Sequence, residues 1–221
     1  MEKPAIIITG AASGIGQATA LHFVKRDWFV GLLDIDHAAL QAVAKLIGTG
    51  NCCFRSTDIT KMDEVQQAMK EFSSRTSRKL DVLFNCAGVL HMGEFEEILL
   101  PQHLGMLNVN LIGTLQCIYA ALPLLKQTPG STIISMSSAS SLYGTPELAT
   151  YSATKCAIRG LTEALNIELE KDDIHVCDIS IPYVDTPLLK DKNRARSIDK
   201  LGVHLQPEAI AELVFKATRR R

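Results

Sequence analysis

Tyr151 and Lys155 stand one helical turn apart in the run Tyr151-Ser152-Ala153-Thr154-Lys155, so their side chains share a face. A free phenol, with a pKa of about 10, is a poor base at neutral pH. An ammonium beside it favours the phenolate and lowers that value, which suits the pair to exchanging a proton with a carbonyl or an alcohol. Far upstream, Thr9-Gly10-Ala11-Ala12-Ser13-Gly14-Ile15-Gly16 joins an apolar run to a segment of helical period. Glycines there permit a tight turn with bare backbone, and the helix that follows offers unpaired N–H groups and partial positive charge to a pyrophosphate. Asp34, closing the second apolar run, is placed to hydrogen-bond an adenosine ribose and to repel a 2′-phosphate. Neither Ser13 nor Ile35 is a Lys or Arg, so the turn favours NAD over NADP. Plainer readings exist for each: surface decoration for the pair, an ordinary strand-to-helix turn for the glycines, and a strand-end residue for Asp34.

Positioning these groups requires alternating strands and helices. Short β-branched runs at 5–9, 28–33, 52–56, 80–85, 132–135 and 175–181 read as strands. Segments of helical period follow the glycine turn to about Arg26, then run from Asp36 to Ile47 and from Thr60, as a cap, to Ser74. Others lie within 101–126, over 151–171 and over 207–216. The pattern indicates βαβ units, and nearly continuous apolar strands indicate a parallel sheet covered on both faces. No repeat or linker interrupts it, so 1–221 reads as one doubly wound α/β domain. The polar stretch 190–197 reads as a loop, within an expected substrate lid over 186–206.

Composition excludes other classes. With 23 basic and 24 acidic residues among 221, the chain lacks the charge of a general nucleic-acid binder. No run approaches roughly 18 consecutive apolar residues, so no membrane partner is expected. Met1-Glu2-Lys3-Pro4 leads straight into a strand pattern without room for a signal peptide, which points to the cytoplasm. The six cysteines and six histidines show neither paired nor metal-ligand spacing, so neither disulfides nor a metal site is expected.

Over residues 4–215 the sequence resembles the short-chain dehydrogenase/reductase family. Thr9 to Gly16 reproduces the family's TGxxxGIG, and Asn85-Cys86-Ala87-Gly88 its NNAG, with cysteine in second place. Asn110 matches the family's active-site Asn, Ser138 its Ser, and Tyr151 and Lys155 the rest of the tetrad. The resemblance implies a Rossmann-type fold and hydride transfer between a nicotinamide dinucleotide and a secondary alcohol or ketone. Tyr151 would exchange the proton, Ser138 would hold the substrate oxygen, Lys155 would bond the nicotinamide ribose, and Asn110 would position a water leading from Lys155 to solvent. Gly10, Ser13, Gly14, Ile15, Gly16, Asp34, Asp58, Ile59, Asn85, Ala87 and Gly88 would bind the cofactor, with Pro182, Val184 and Thr186 at its nicotinamide end. For Asp58 a helix cap is the competing reading, and the choice of Ser138 over Ser137, Ser140 and Ser141 rests on spacing.

Two departures from the family pattern stand out. In Pro182-Tyr183-Val184-Asp185-Thr186-Pro187, Tyr183 replaces a glycine; either its ring enters the site on an altered backbone or it turns to solvent. The family's seventh strand, which builds one oligomer contact, is not evident before Arg221. A homodimer through the helices carrying Asn110 and Tyr151, or a homotetramer, is expected. His91, Met92 and Leu142 could border the substrate pocket, and the basic residues of 190–200 suit either an anionic substrate or a solvated loop. An NADP-dependent carbonyl reductase, or a non-catalytic dinucleotide-binding regulatory protein, is the alternative function.

Overall fold

The structure, a computed structural model, describes residues 3–190 and 195–219. Strands β1 (Ala5–Thr9), β2 (Phe29–Asp34), β3 (Cys52–Ser56), β4 (Val82–Asn85), β5 (Thr132–Met136) and β6 (His175–Ile179) form one parallel sheet in the order β3-β2-β1-β4-β5-β6. The helices are α1 (Gly14–Val24), α2 (His37–Ile47), α3 (Met62–Arg75), α4 (Leu100–Leu107), α5 (Thr114–Leu125), α6 (Ala149–Glu168), α7 (Arg196–Leu201) and α8 (Pro207–Ala217). This is the Rossmann-type doubly wound sheet, and the described residues hold six of its strands.

Alternation along each strand feeds two cores. Ile6 and Ile8 of β1 pack with Val30, Leu32, Phe84 and Ile134 beneath α1, α2 and α8. Ile7 faces the other way, with Leu83 and Ile133, against Phe72 of α3 and Leu124 of α5. Both layers are dry, which is why the strands read as unbroken apolar runs. The strand order reverses between β1 and β4, and at such a switch point a crevice opens beyond the carboxyl ends of the strands.

Several boundaries differ from the sequence reading. Thr60 does not cap α3: Asp58 Oδ1 accepts from both Thr60 N (3.0 Å) and Thr60 Oγ1 (2.7 Å), and the cap position falls on Lys61. The Asp58 carboxylate takes both the Thr60 amide and its hydroxyl in a local turn, so the helix begins one residue later than expected. Trp28 stays outside β2, its amide donating back to the Phe23 carbonyl at 3.3 Å and its ring packing edge-on against Phe23, 4.9 Å between centroids. The long helix expected in 101–126 is α4 and α5 joined through a π-helical turn at Asn108–Gly113. By length and mean hydropathy alone Leu100–Leu125 could cross a bilayer, although Gln102, His103, Asn108 and Gln116 interrupt any consecutive apolar run. It nonetheless carries the buried Asn110 and Thr114 and packs against α3 and α6 as part of the layer. Of the expected loop 190–197, residues 191–194 lie outside the described residues, and Arg196 and Ser197 open α7 instead.

Candidate active site

The turn between β1 and α1 is fixed by close backbone approach. Gly10 has φ +70°, and a Cβ there would lie 2.8 Å from the Ala87 backbone. A Cβ on Gly16 would lie 2.1 Å from the Gly10 carbonyl, so neither of these two positions admits a side chain. Thr9 Oγ1 accepts from Cys86 N and Ala87 N at 3.0 and 3.1 Å, binding the turn to the loop after β4. Ser13 occupies the N-cap position of α1 without a side-chain cap bond, so its hydroxyl leaves the first amides of the helix unclaimed. Asp34 accepts from Ala12 N (3.0 Å) and Asp36 N (3.1 Å), which holds its carboxylate at the crevice edge.

A cleft of about 560 Å³ runs over this floor. Asp34, Asp58 and Ile59 line one end; Gly10, Ser13, Gly14, Ile15 and Gly16 lie along the base, with Ala87, Gly88 and Thr186 opposite. It shares Ile15, Cys86, Gly88, Thr186 and Leu188 with a pocket of about 100 Å³ lined by Ser138, Tyr151, Lys155, Pro182 and Val184. Most of the residues expected at a site thus meet along one crevice, and the residues present fit an adenine dinucleotide. The bare glycine turn leaves room for a pyrophosphate, the unclaimed amides of α1 can bind it, and the acid at the end of β2 suits a ribose diol.

Asn85 and Asn110 do not line the crevice. Asn85 is buried, its Nδ2 donating to Ser135 Oγ at 3.3 Å while its Oδ1 has no partner. Asn110 grips the loop after β4, accepting from Val89 N at 2.8 Å and donating to Val89 O at 2.9 Å. It bonds Thr154 rather than Lys155. Met92 is buried behind the pocket, His91 sits beside Gln102 at 3.4 Å, and Leu142 is exposed; none of the three borders the site. Walls that spacing did not reveal are Leu90, Leu148 and Leu189, which come from three separate loops and carry no local signal.

The electrostatics reverse one expectation. Burial pushes the Tyr151 phenol up to about 12; the hydrogen bond with Ser138 draws it down, and Tyr183 and Cys86 push it further up. Lys155 does not relieve it, because its ammonium donates to the Met136 carbonyl at 2.8 Å and stands 5.5 Å from the Tyr151 ring centroid. Burial in turn pushes Lys155 down to about 8. Tyr151 is therefore a neutral phenol at pH 7, ready to donate a proton to an oxyanion that Ser138 can also bond. Of the neighbouring hydroxyls, Ser137 donates to the Lys155 carbonyl at 3.5 Å, Ser141 to Ser138 O at 2.7 Å, and Ser140 is bonded to Thr145, while Ser138 is the one bonded to the phenol. Tyr183 resolves toward the site: its φ is not left-handed, and its ring lines the pocket. The thiols Cys86 and Cys117 are pushed up to about 12 by burial, which keeps them inert packing groups.

The family model described as short chain dehydrogenase matches residues 4–197. This chain belongs to the short-chain dehydrogenase/reductase family. An uncharacterized oxidoreductase of Staphylococcus aureus (strain MRSA252) is 32% identical over 96% of this chain and 89% of its own length. Dehydrogenase/reductase SDR family member 6 of Rattus norvegicus is 34% identical over 90% of this chain and 79% of its own. The crystal structure of 3-ketoacyl-(acyl-carrier-protein) reductase from Brucella melitensis complexed with NADH superimposes with a TM-score of 0.88 at 30% identity, covering 96% of this chain and 89% of that one. The chain is accordingly an NAD(P)-dependent oxidoreductase of this family.

Proposed function

We propose that the protein is an NAD-dependent oxidoreductase that interconverts a secondary alcohol and a ketone. The observation that carries this reading is a single crevice reaching from Asp34 at the end of β2 to the Ser138–Tyr151 hydroxyl pair. The dinucleotide, when bound, supplies or accepts the hydride at its nicotinamide ring. Gly10, Ser13, Gly14, Ile15 and Gly16 hold the pyrophosphate, Asp34 the adenosine ribose, and Asp58 and Ile59 the adenine. Ala87 and Gly88 offer backbone along the crevice, while Pro182, Val184 and Thr186 hold the carboxamide end.

Tyr151 donates the proton to the carbonyl oxygen in reduction and takes it back in oxidation, and Ser138 orients that oxygen and stabilises its charge. Lys155 turns from the Met136 carbonyl toward the ribose hydroxyls and brings positive charge near the phenol. Asn85 and Asn110 act from beneath, holding β4 to β5 and fixing the Val89 loop. One domain carries all of these groups. The NAD preference rests on the Asp34 carboxylate, which repels a 2′-phosphate, with no Lys or Arg at Ser13 or Ile35.

A homodimer is the assembly this reading supports. Leu104, Ile112, Leu115 and Tyr119 recur at helical spacing along α4 and α5 and stand exposed on one stripe. The six cysteines are free thiols, which suits a reducing, cytoplasmic setting. Fluorescence titration of the purified protein with NADH and with NADPH tests the cofactor assignment. Tighter binding of NADH by tenfold or more is the expected result; a preference for NADPH makes the enzyme an NADP-linked reductase, and binding of neither removes the catalytic reading.

A further inference from the structure

Tyr183 departs from the family pattern, and the described structure gives it a defined place. Its ring packs with Leu90, Leu148, Ala195 and Ile198, and its hydroxyl lies 2.6 Å from Ser197 Oγ in the first turn of α7. That segment is anchored independently. Ala195 and Ile198 are 1% and 0% exposed, so α7 is rooted in an apolar cluster rather than laid on the surface. Arg196 N donates to the Glu147 carboxylate at 2.6 Å, while the guanidinium pairs with Glu147 and, at 3.0 Å, with Glu94. Behind it, Val184 bridges Leu205, and Asp185 N donates to Leu205 O at 2.9 Å.

The pocket beside Tyr151 that this wall encloses is about 100 Å³. Its walls beyond the reacting groups, Leu90, Leu148, Tyr183 and Leu189, are apolar or aromatic. Among the described lining residues the one cation is Lys155, which donates to the Met136 carbonyl here and which the oxidoreductase reading assigns to the ribose hydroxyls of the cofactor. Arg196, at the start of α7 beside this wall, is paired to two carboxylates, and Lys190, next to Leu189, is exposed and does not line the pocket. Nothing described in the pocket therefore balances an anionic substituent, and burying one unpaired is strongly unfavourable.

We propose that Tyr183 is a specificity-determining wall that restricts the enzyme to compact, uncharged ketones and secondary alcohols. With its ring in place and its hydroxyl tied to Ser197, the route between α7 and the loop after β4 is shut to long chains and to thioester carriers. The inference rests on the oxidoreductase reading above and narrows its substrate class.

The test measures kcat/KM with NADH for butan-2-one, octan-2-one, acetoacetate and the N-acetylcysteamine thioester of acetoacetate. It is run on the wild type and on Tyr183→Phe, Tyr183→Leu and Tyr183→Gly, with NADH binding followed by fluorescence as a separate readout. The wild type favours butan-2-one over the other three. Tyr183→Gly raises the ratio of octan-2-one to butan-2-one by about tenfold or more, the scale on which pocket volume discriminates apolar groups. Tyr183→Leu raises it less, and Tyr183→Phe, which keeps the ring, stays near the wild-type ratio. If the glycine variant fails to fold, the leucine variant decides. Wild-type preference for acetoacetate or the thioester overturns the proposal, as do unchanged ratios in the leucine and glycine variants. A wild type that binds NADH and reduces no carbonyl overturns the oxidoreductase reading itself, and this inference with it.

Discussion

Replacing Lys155 with methionine should stabilise the protein while disabling its chemistry. Lys155 is 5% exposed, and burial pushes its ammonium from the ordinary 10.5 down to about 8. That gap corresponds to about 3 kcal/mol held against the fold whenever the lysine is charged. Methionine fills similar space without charge but forfeits the bond to the Met136 carbonyl, worth about 1 kcal/mol. The net gain is about 2 kcal/mol at pH 7, or roughly 4–8 °C in melting temperature for a chain of this size. The sign with pH follows from proton counts. Below about pH 8 folded and unfolded chains both hold the proton, so the penalty is complete and the advantage of the variant is constant. Between about 8 and 10.5 the unfolded chain holds a proton that the folded chain has released, so wild-type stability rises and the advantage shrinks. Thermal melts of both proteins between pH 7 and 9.5 measure it. A lower melting temperature for Lys155→Met at pH 7, or an advantage that does not shrink by pH 9.5, would refute the reasoning.

Gly16→Ala sets a Cβ 2.1 Å from the Gly10 carbonyl, so the turn must open. We expect a loss of about 1–3 kcal/mol in stability and of detectable NADH binding, seen by melting and by fluorescence titration; wild-type affinity would contradict the role given to the turn. Leu104→Glu combined with Tyr119→Glu places charge on the exposed stripe of α4 and α5. Sedimentation should show a monomer that still binds NADH, against a wild-type dimer.

The sheet was legible in the sequence because both of its faces are dry: Ile6, Ile7 and Ile8 alternate between two cores, and each reads as apolar. The glycine turn and Asp34 were legible for a similar local reason, since backbone clearance and a strand-end acid leave fixed spacings. What the sequence could not carry depends on groups brought together from afar. The sign of the Tyr151 shift turned on burial and on Lys155 finding the Met136 carbonyl, neither of which follows from a one-turn spacing. The direction of the Tyr183 ring is decided by Ser197 and Ile198, and the place of Asn110 by Val89 across the fold. Thr60 failed as a cap because its hydroxyl turns back to Asp58, two residues earlier.

The central claim is that Tyr151 passes the proton to and from the substrate oxygen, beside Ser138, in a crevice that holds the dinucleotide. Its most direct test compares wild type and Tyr151→Phe for loss of NADH absorbance with butan-2-one, and for NADH binding by fluorescence. The account predicts a rate lower by about 10²–10⁴-fold with NADH affinity within about threefold of wild type. A phenylalanine variant that turns over at the wild-type rate would contradict it.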